Sequence, residues 1–252
     1  MIDLEKAKEE FIKYTNTYDL ENTGITRKIY HSLRVMEYSK KIAENMNLFE
    51  EQVKLATLIG LLHDIARFEQ MKRYGTYKDK ISIDHGDFAI EILEKDNFIR
   101  KFIETDKYDN IIKIAIKNHN KYKIENLEGE ELLQSKIIKD ADKLDIFFQI
   151  ANQFSKDVSL VENSEVSEDY IKQIREEKCI YRNVEETPLD EVVLAISFIY
   201  DTYFDYSFNI IKEEKFIEKI FAQFNFKKEK TQEQINEIIQ LAQKYITKKT
   251  EK

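Results

Sequence analysis

Four histidines occur in the chain, His31, His63, His85 and His119, and all of them lie in its first half. Helical spacing puts each on an apolar face. His31 is followed by Val35, Tyr38 and Ile42, and His119 is preceded by Ile112, Ala115 and Ile116. His85 shares a face with Phe88, Ala89 and Ile92, while His63 ends an apolar run above Ala56 and Ile59. Two aspartates behave likewise: Asp64 directly follows His63, and Asp142 shares a face with Ile138 and Ile146 in KIIKDADKLDIFF. A carboxylate turned inward needs a cation, a hydrogen-bond donor or a metal, because burying it alone is costly. Imidazole and carboxylate together suit Zn, Mn or Fe, whereas Ca and Mg sites are built from oxygen ligands. Taken singly, an inward histidine is usually a core residue bonded to a backbone carbonyl, and an aspartate after it can be a helix cap. Four inward histidines in one half of the chain, together with the two inward aspartates, are explained most economically by one metal centre.

The elements that position these residues must be helices. Only 5 Gly and 1 Pro occur in 252 residues, so the turn punctuation of sandwiches, barrels and hairpins is nearly missing. A hydrophobic share of 42% is enough for a real core in a chain of this length. Apolar periodicity predicts helices over about 3–16, 26–46, 50–64, 84–96, 109–120, 130–154, 166–177, 188–213, 214–224 and 231–247. Residues 65–83 and 155–167 are expected to be loops. The run Val53–Leu62 (VKLATLIGLL) is apolar almost all round, which predicts a central buried helix. Gly60 inside it costs about 1 kcal/mol in helix propensity, which a close helix crossing would justify. Pro188 after Thr187 fits a first helical turn, and Thr231 with Gln234 reads as a capping box. The expected fold class is all-α, a helical bundle around a buried metal centre with additional C-terminal helices. The expected organisation is a single domain over 1–252, with a metal-binding core at 25–150 and an extension at 151–252 packing on it.

Charge and cysteine usage narrow the partners. With 40 Lys+Arg against 48 Asp+Glu the net charge is −8, which argues against binding a nucleic-acid duplex. The single cysteine, Cys179, excludes an internal disulfide and a Cys-rich zinc module. The N-terminal MIDLEKAKEE lacks the basic-then-apolar pattern of a secretory signal. The longest apolar runs, Leu55–Leu62 and Val192–Tyr200, fall short of the ~20 residues of a membrane span. A soluble cytoplasmic protein without a membrane partner is expected.

The order His31, then the pair His63-Asp64, then Asp142 resembles the metal-dependent HD-domain phosphohydrolases, all-helical proteins named for that pair. The surrounding text is similar too: HSLRVMEYSKKIA around His31, LIGLLHDIARFE around the pair and IIKDADKLD around Asp142. The resemblance covers about residues 25–150. His85 (IDHGDFAIEIL) and His119 (IAIKNHNKY) match the positions where binuclear members carry two extra histidines. The resemblance therefore implies that His31, His63, Asp64 and Asp142 hold one metal and that Asp64 bridges to a second held by His85 and His119. It implies a divalent transition metal, two per chain, with Fe or Mn first and Zn, Co or Ni as alternatives.

A centre of this kind suits hydrolysis of a phosphomonoester or phosphodiester, because two metals clamp attacking and leaving oxygens and yield hydroxide near neutral pH. The implied substrate is a small, nucleotide-like phosphorylated molecule. Asp64, Arg67 and Lys143 form the candidate catalytic set, Arg67 standing one helical turn after Asp64 and Lys143 either facing the anion or orienting Asp142 or Asp145. Lys72, Arg73, Lys78 and Lys80 are further candidates for holding phosphate, with Arg34, Asn118 and Asn120 as weaker ones. Tyr74, Tyr77 and Tyr122 are candidates for stacking on a base. Two alternatives stand beside this reading: a di-iron oxygenase on the same scaffold, and a non-catalytic ligand-binding module.

Overall fold

The computed structural model describes residues 2–124, 126–182 and 186–251, and among them every regular element is a helix. The chain divides into two compact units, residues 1–142 and 143–252. The first contains α1 (Leu4–Thr15), α2 (Thr23–Asn45), α3 (Glu50–Leu62), α4 (Ile65–Tyr74), α5 (His85–Glu94), α6 (Asp109–Asn118) and the start of α7 (Gly129–Asn152). The second contains the rest of α7, then α8 (Val158–Glu162), α9 (Glu168–Arg175), α10 (Pro188–Ser197), α11 (Asp205–Glu213), α12 (Phe216–Phe221) and α13 (Glu229–Thr250).

In the first unit, α3 is the central helix, and every residue from Leu55 to Leu62 is buried. α1, α2 and α6 pack against it. α2 lays down the face Ile25, His31, Ser32, Val35, Met36, Ser39 and Ile42, so its apolar stripe carries His31 inward. Gly60 lies where α2 and α3 cross: a Cβ built there would stand 2.6 Å from Ser39 Oγ and 3.0 Å from Met36 Cα. The crossing expected from the glycine is therefore present. Entry caps are side-chain oxygens that satisfy the first free amides of a helix. Asp3 accepts from Lys6 N, Asn22 from Gly24 N and Ile25 N, and Asp84 from Gly86 N and Asp87 N.

Residues 65–83, expected as a loop, begin with a helix instead. Ile65, Ala66, Phe68 and Gln70 form a buried face of α4, and Phe68 packs edge-on to Phe11 with ring centroids 5.8 Å apart. α4 stops at Gly75, whose φ of 64° is left-handed and whose N–H donates to Met71 O.

Three further expectations change in the second unit. The helix expected over 188–213 is broken: α10 gives way to a 3-10 turn at Phe198–Asp201, then Thr202 is extended at ψ 138° before α11 begins. Residues 155–167 contain the short helix α8. Thr231 does not cap: α13 begins at Glu229, and the Thr231 hydroxyl donates to Ser164 O while Gln234 bonds Val166 at both N–H and C=O. The cap at Thr187 is as expected, with Pro188 in the first turn and Asp190 completing a capping box. Among the described residues no helix is long and apolar enough to cross a membrane.

Replacing Gly60 by Ala adds about 1 kcal/mol of helix propensity, but it forces α2 and α3 apart at backbone contact distance, at a cost of about 1–3 kcal/mol. Gly60→Ala is expected to lower the urea midpoint, and a raised midpoint would contradict the close crossing.

Candidate metal centre

Each of the six residues reaches the centre from a different helix or helix end. His31 lies inside α2, and His63 and Asp64 form the corner between α3 and α4. His85 opens α5, His119 closes α6, and Asp142 projects from α7. The five residues His31, His63, Asp64, His85 and His119 are buried, and Asp142 is partly exposed.

The Asp64 carboxylate lies between two pairs of imidazoles. Oδ2 is 3.3 Å from His31 Nε2 and 3.6 Å from His63 Nε2. Oδ1 is 3.5 Å from His85 Nε2 and 3.7 Å from His119 Nε2. Asp142 Oδ1 closes on the first pair, 3.2 Å from His31 Nε2 and 3.8 Å from His63 Nε2. Two triads, His31-His63-Asp64 and Asp64-His85-His119, each bring their ligand atoms close enough to hold a metal ion.

Proton placement supports that reading. His63 Nδ1 is 2.8 Å from Gly60 O, and His119 Nδ1 is 2.6 Å from Ile116 O. These carbonyls accept only, so each Nδ1 carries a proton and donates it, using a C=O at a helix end. His85 Nδ1 meets the carboxylate of Asp79 at 2.5 Å. His31 Nε2 is 3.2 Å from His63 Nε2. Rings fixed at Nδ1, as in His63, His85 and His119, point lone pairs inward from Nε2, yet the Nε2 atoms of His85 and His119 are only 2.9 Å apart. Lone pairs at that distance repel unless a cation stands between them. Ligand atoms about 2.1 Å from one ion at tetrahedral or octahedral angles are separated by about 3.0–3.4 Å, the spacing these pairs approach. Asp64 Oδ1, buried without a hydrogen-bond partner, supplies a further unused ligand atom. The donor set thus fits a divalent transition metal on each side of Asp64.

His63, His85, Asp64 and Asp142 are shifted toward the protonation states that metals require. Burial pushes His63 down to about 3 and His85 down to about 4. For Asp64, burial acts upward but is outweighed, first by the Lys28 ammonium and then by the surrounding imidazoles, which hold the carboxyl well below its ordinary range. Asp142 is also lowered, burial being overcome by the adjacent imidazoles of His31 and His63.

Lys28 was not among the sequence candidates. Its ammonium is 2.6 Å from Asp64 Oδ2. It stands three residues before His31, on the same face of α2, and that spacing was the available signal. Asp79 was missed as well, because a single acidic residue outside a periodic segment carries no pattern.

Arg67 lies beside the centre, with Nε 3.4 Å from Asp64 Oδ1, but its Nη1 donates to Gln70 Oε1, Tyr77 O and Asp79 Oδ1. Lys143 donates to the carbonyl and the carboxylate of Asp201, so Asp201 is its ion-pair partner, in place of the expected Asp142 or Asp145. Arg73 pairs with Glu69, Lys72 lies over the Tyr18 ring, and Lys78 and Lys80 are exposed. Asn118 bonds back to Ile114 O, and Asn120 donates to Asp84 Oδ1. Tyr74 and Tyr122 are exposed, whereas the Tyr77 hydroxyl is buried without a partner.

An all-helical unit that gathers four histidines and a second aspartate around the Asp64 carboxylate defines a class of metal-site protein. Residues 29–146 match the family model of the HD domain, and this stretch of the chain is an HD domain. The match suggests the superfamily of metal-dependent phosphohydrolases. No curated protein and no solved structure matches the chain significantly.

The lowered histidines set a pH dependence. Between about 6.5 and about 3 the unfolded chain protonates His63 and the folded chain does not, and the same holds for His85 down to about 4. Unfolding takes up protons there, so stability is present above 6.5 and is lost as pH falls; the two aspartates extend the loss below 3.8. Chelator-treated protein is expected to melt at progressively lower temperature from about pH 7 to about pH 5. A melting temperature that is flat or rising over that range would contradict neutral, buried imidazoles.

Proposed function

We propose that the chain is an HD-type phosphohydrolase that uses two divalent transition metals, Fe or Mn first, to cleave a phosphomonoester or phosphodiester of a small nucleotide-like molecule. His31, His63, Asp64 and Asp142 would hold one metal, and Asp64, His85 and His119 the other. The observation that carries this reading is the Asp64 carboxylate, which offers one oxygen to each pair of imidazoles. Metals so bound supply Lewis acidity and a water of lowered pKa, the two requirements of phosphoester hydrolysis at neutral pH.

The chain's own residues supply the rest. The side chains of Lys28 and Asp142 are each 19% exposed, while the five other ligand side chains are at most 6% exposed, so the open edge of the centre lies on the Lys28–Asp142 side. A substrate anion entering there meets the Lys28 ammonium, a compact cation suited to a phosphate oxygen. The buried imidazoles exclude water from the opposite side. Arg67 adds positive charge beside Asp64 Oδ1.

The test is hydrolysis of p-nitrophenyl phosphate and of its bis-ester, followed by a nucleotide panel, after loading with Mn or Fe. Activity is expected to require the metal and to fall to background in Asp64→Asn with helix content retained. Parental activity in that variant would refute the proposal.

A further inference from the structure

Asp79 lies between α4 and α5 and is bound at both carboxylate oxygens. Oδ1 accepts from Arg67 Nη1 and Gln70 Nε2, each at 2.9 Å, and Oδ2 meets His85 Nδ1 at 2.5 Å. The holders are themselves fixed. Gln70 is fully buried, also donates to Ser82 Oγ and Ile83 O, and accepts from Arg67 through its own Oε1. The carboxylate is therefore clamped from two side chains of α4 and cannot turn away from the ring.

His85 depends on such an outside partner because of its place in the fold. His63 and His119 stand at helix C-termini and donate Nδ1–H to a carbonyl three residues back. His85 is the first residue of its helix and has no preceding turn to supply that carbonyl. The Asn120 amide nitrogen is 3.3 Å from the same ring atom, a longer contact than the 2.5 Å to Asp79, so the ring proton belongs to the carboxylate contact. With Nδ1 protonated, Nε2 is left as the lone pair facing Asp64 Oδ1 and His119 Nε2. A carboxylate in this role fixes the tautomer and raises the basicity of the ligand.

We propose that Asp79, clamped by Arg67 and Gln70, is the positioning residue of the Asp64-His85-His119 half of the centre, fixing the His85 tautomer and thereby the affinity of that half for a transition-metal ion, independently of the His31-His63 half. This rests on the two-metal reading above. It also gives Arg67 a role through Asp79 in addition to its charge beside Asp64.

Asp79→Asn is the informative variant. Arg67 and Gln70 both donate to Oδ1, so they hold the amide oxygen where Oδ1 is now, and the amide NH2 faces His85 Nδ1. A donor there drives the ring proton to Nε2, the atom a metal needs. Zinc titration by calorimetry on the full chain is expected to find two sites in the parent. In Asp79→Asn one site keeps its affinity within twofold and the other weakens by about 10–100-fold or more. Two sites of parental affinity in the variant, or equal weakening of both, would overturn the inference while leaving the two-metal reading intact. A single site in the parent would overturn the two-metal reading itself. If the variant does not fold, long-range 1H–15N spectra of the zinc-loaded parent decide: a proton on His85 Nδ1 with zinc at Nε2 is expected, and the reverse arrangement overturns the inference.

Discussion

A buried carboxylate with imidazole lone pairs on both sides constrains everything else in the first unit. Asp64 is 3% exposed and ionised, and burying such a charge is strongly unfavourable unless cations or donors surround it. Lys28 alone does not meet that need. It reaches only Oδ2, and Oδ1, with Arg67 Nε 3.4 Å away, has no hydrogen-bond partner. The neighbouring histidines do not donate to it freely, because His63 and His119 have their protons committed on the far side of the ring. The cluster is electrostatically incomplete as a set of side chains and complete as a set of ligands.

The helices are arranged around that requirement. α3 can deliver the His63-Asp64 corner into the core because it is buried along its last two turns, and it can be buried there because Gly60 lets α2 approach at backbone distance. The same glycine's carbonyl accepts from His63 Nδ1, so one residue serves both the crossing and the ring orientation. α6 repeats the device at its own C-terminus with Ile116 and His119. α5 contributes its ligand from an N-terminus, where Asp84 caps the free amides and a separate carboxylate, Asp79, has to orient the ring.

Much of this was readable from residue types and spacing, for physical reasons. Histidines on apolar stripes stand out because burying them requires compensation, and the continuous apolar run around Gly60 could only be a central helix. Features set by single charged groups were not readable. Lys28 and Asp79 are chemically identical to dozens of solvated residues, and only the fold reveals that they meet Asp64 and His85. α4 was hidden by its charged outer face, although Ile65, Ala66 and Phe68 on one side and Gly75 at its end would have supported it. The break after α10 occurs at a Thr/Tyr/Phe-rich stretch with neither glycine nor proline, so nothing local marks it. The Thr231-Gln234 pattern was misread because both side chains bond residues 164–166, a long-range contact that a local motif cannot foresee.

The decisive question is whether one carboxylate is shared by two ions. Anomalous diffraction at the manganese edge, from crystals of the full chain grown with that metal, measures this directly. Two peaks are expected, one on the His31-His63 side of Asp64 and one on the His85-His119 side, each contacted by a different oxygen of that carboxylate. A single peak, or ions bound away from Asp64, would contradict a shared carboxylate.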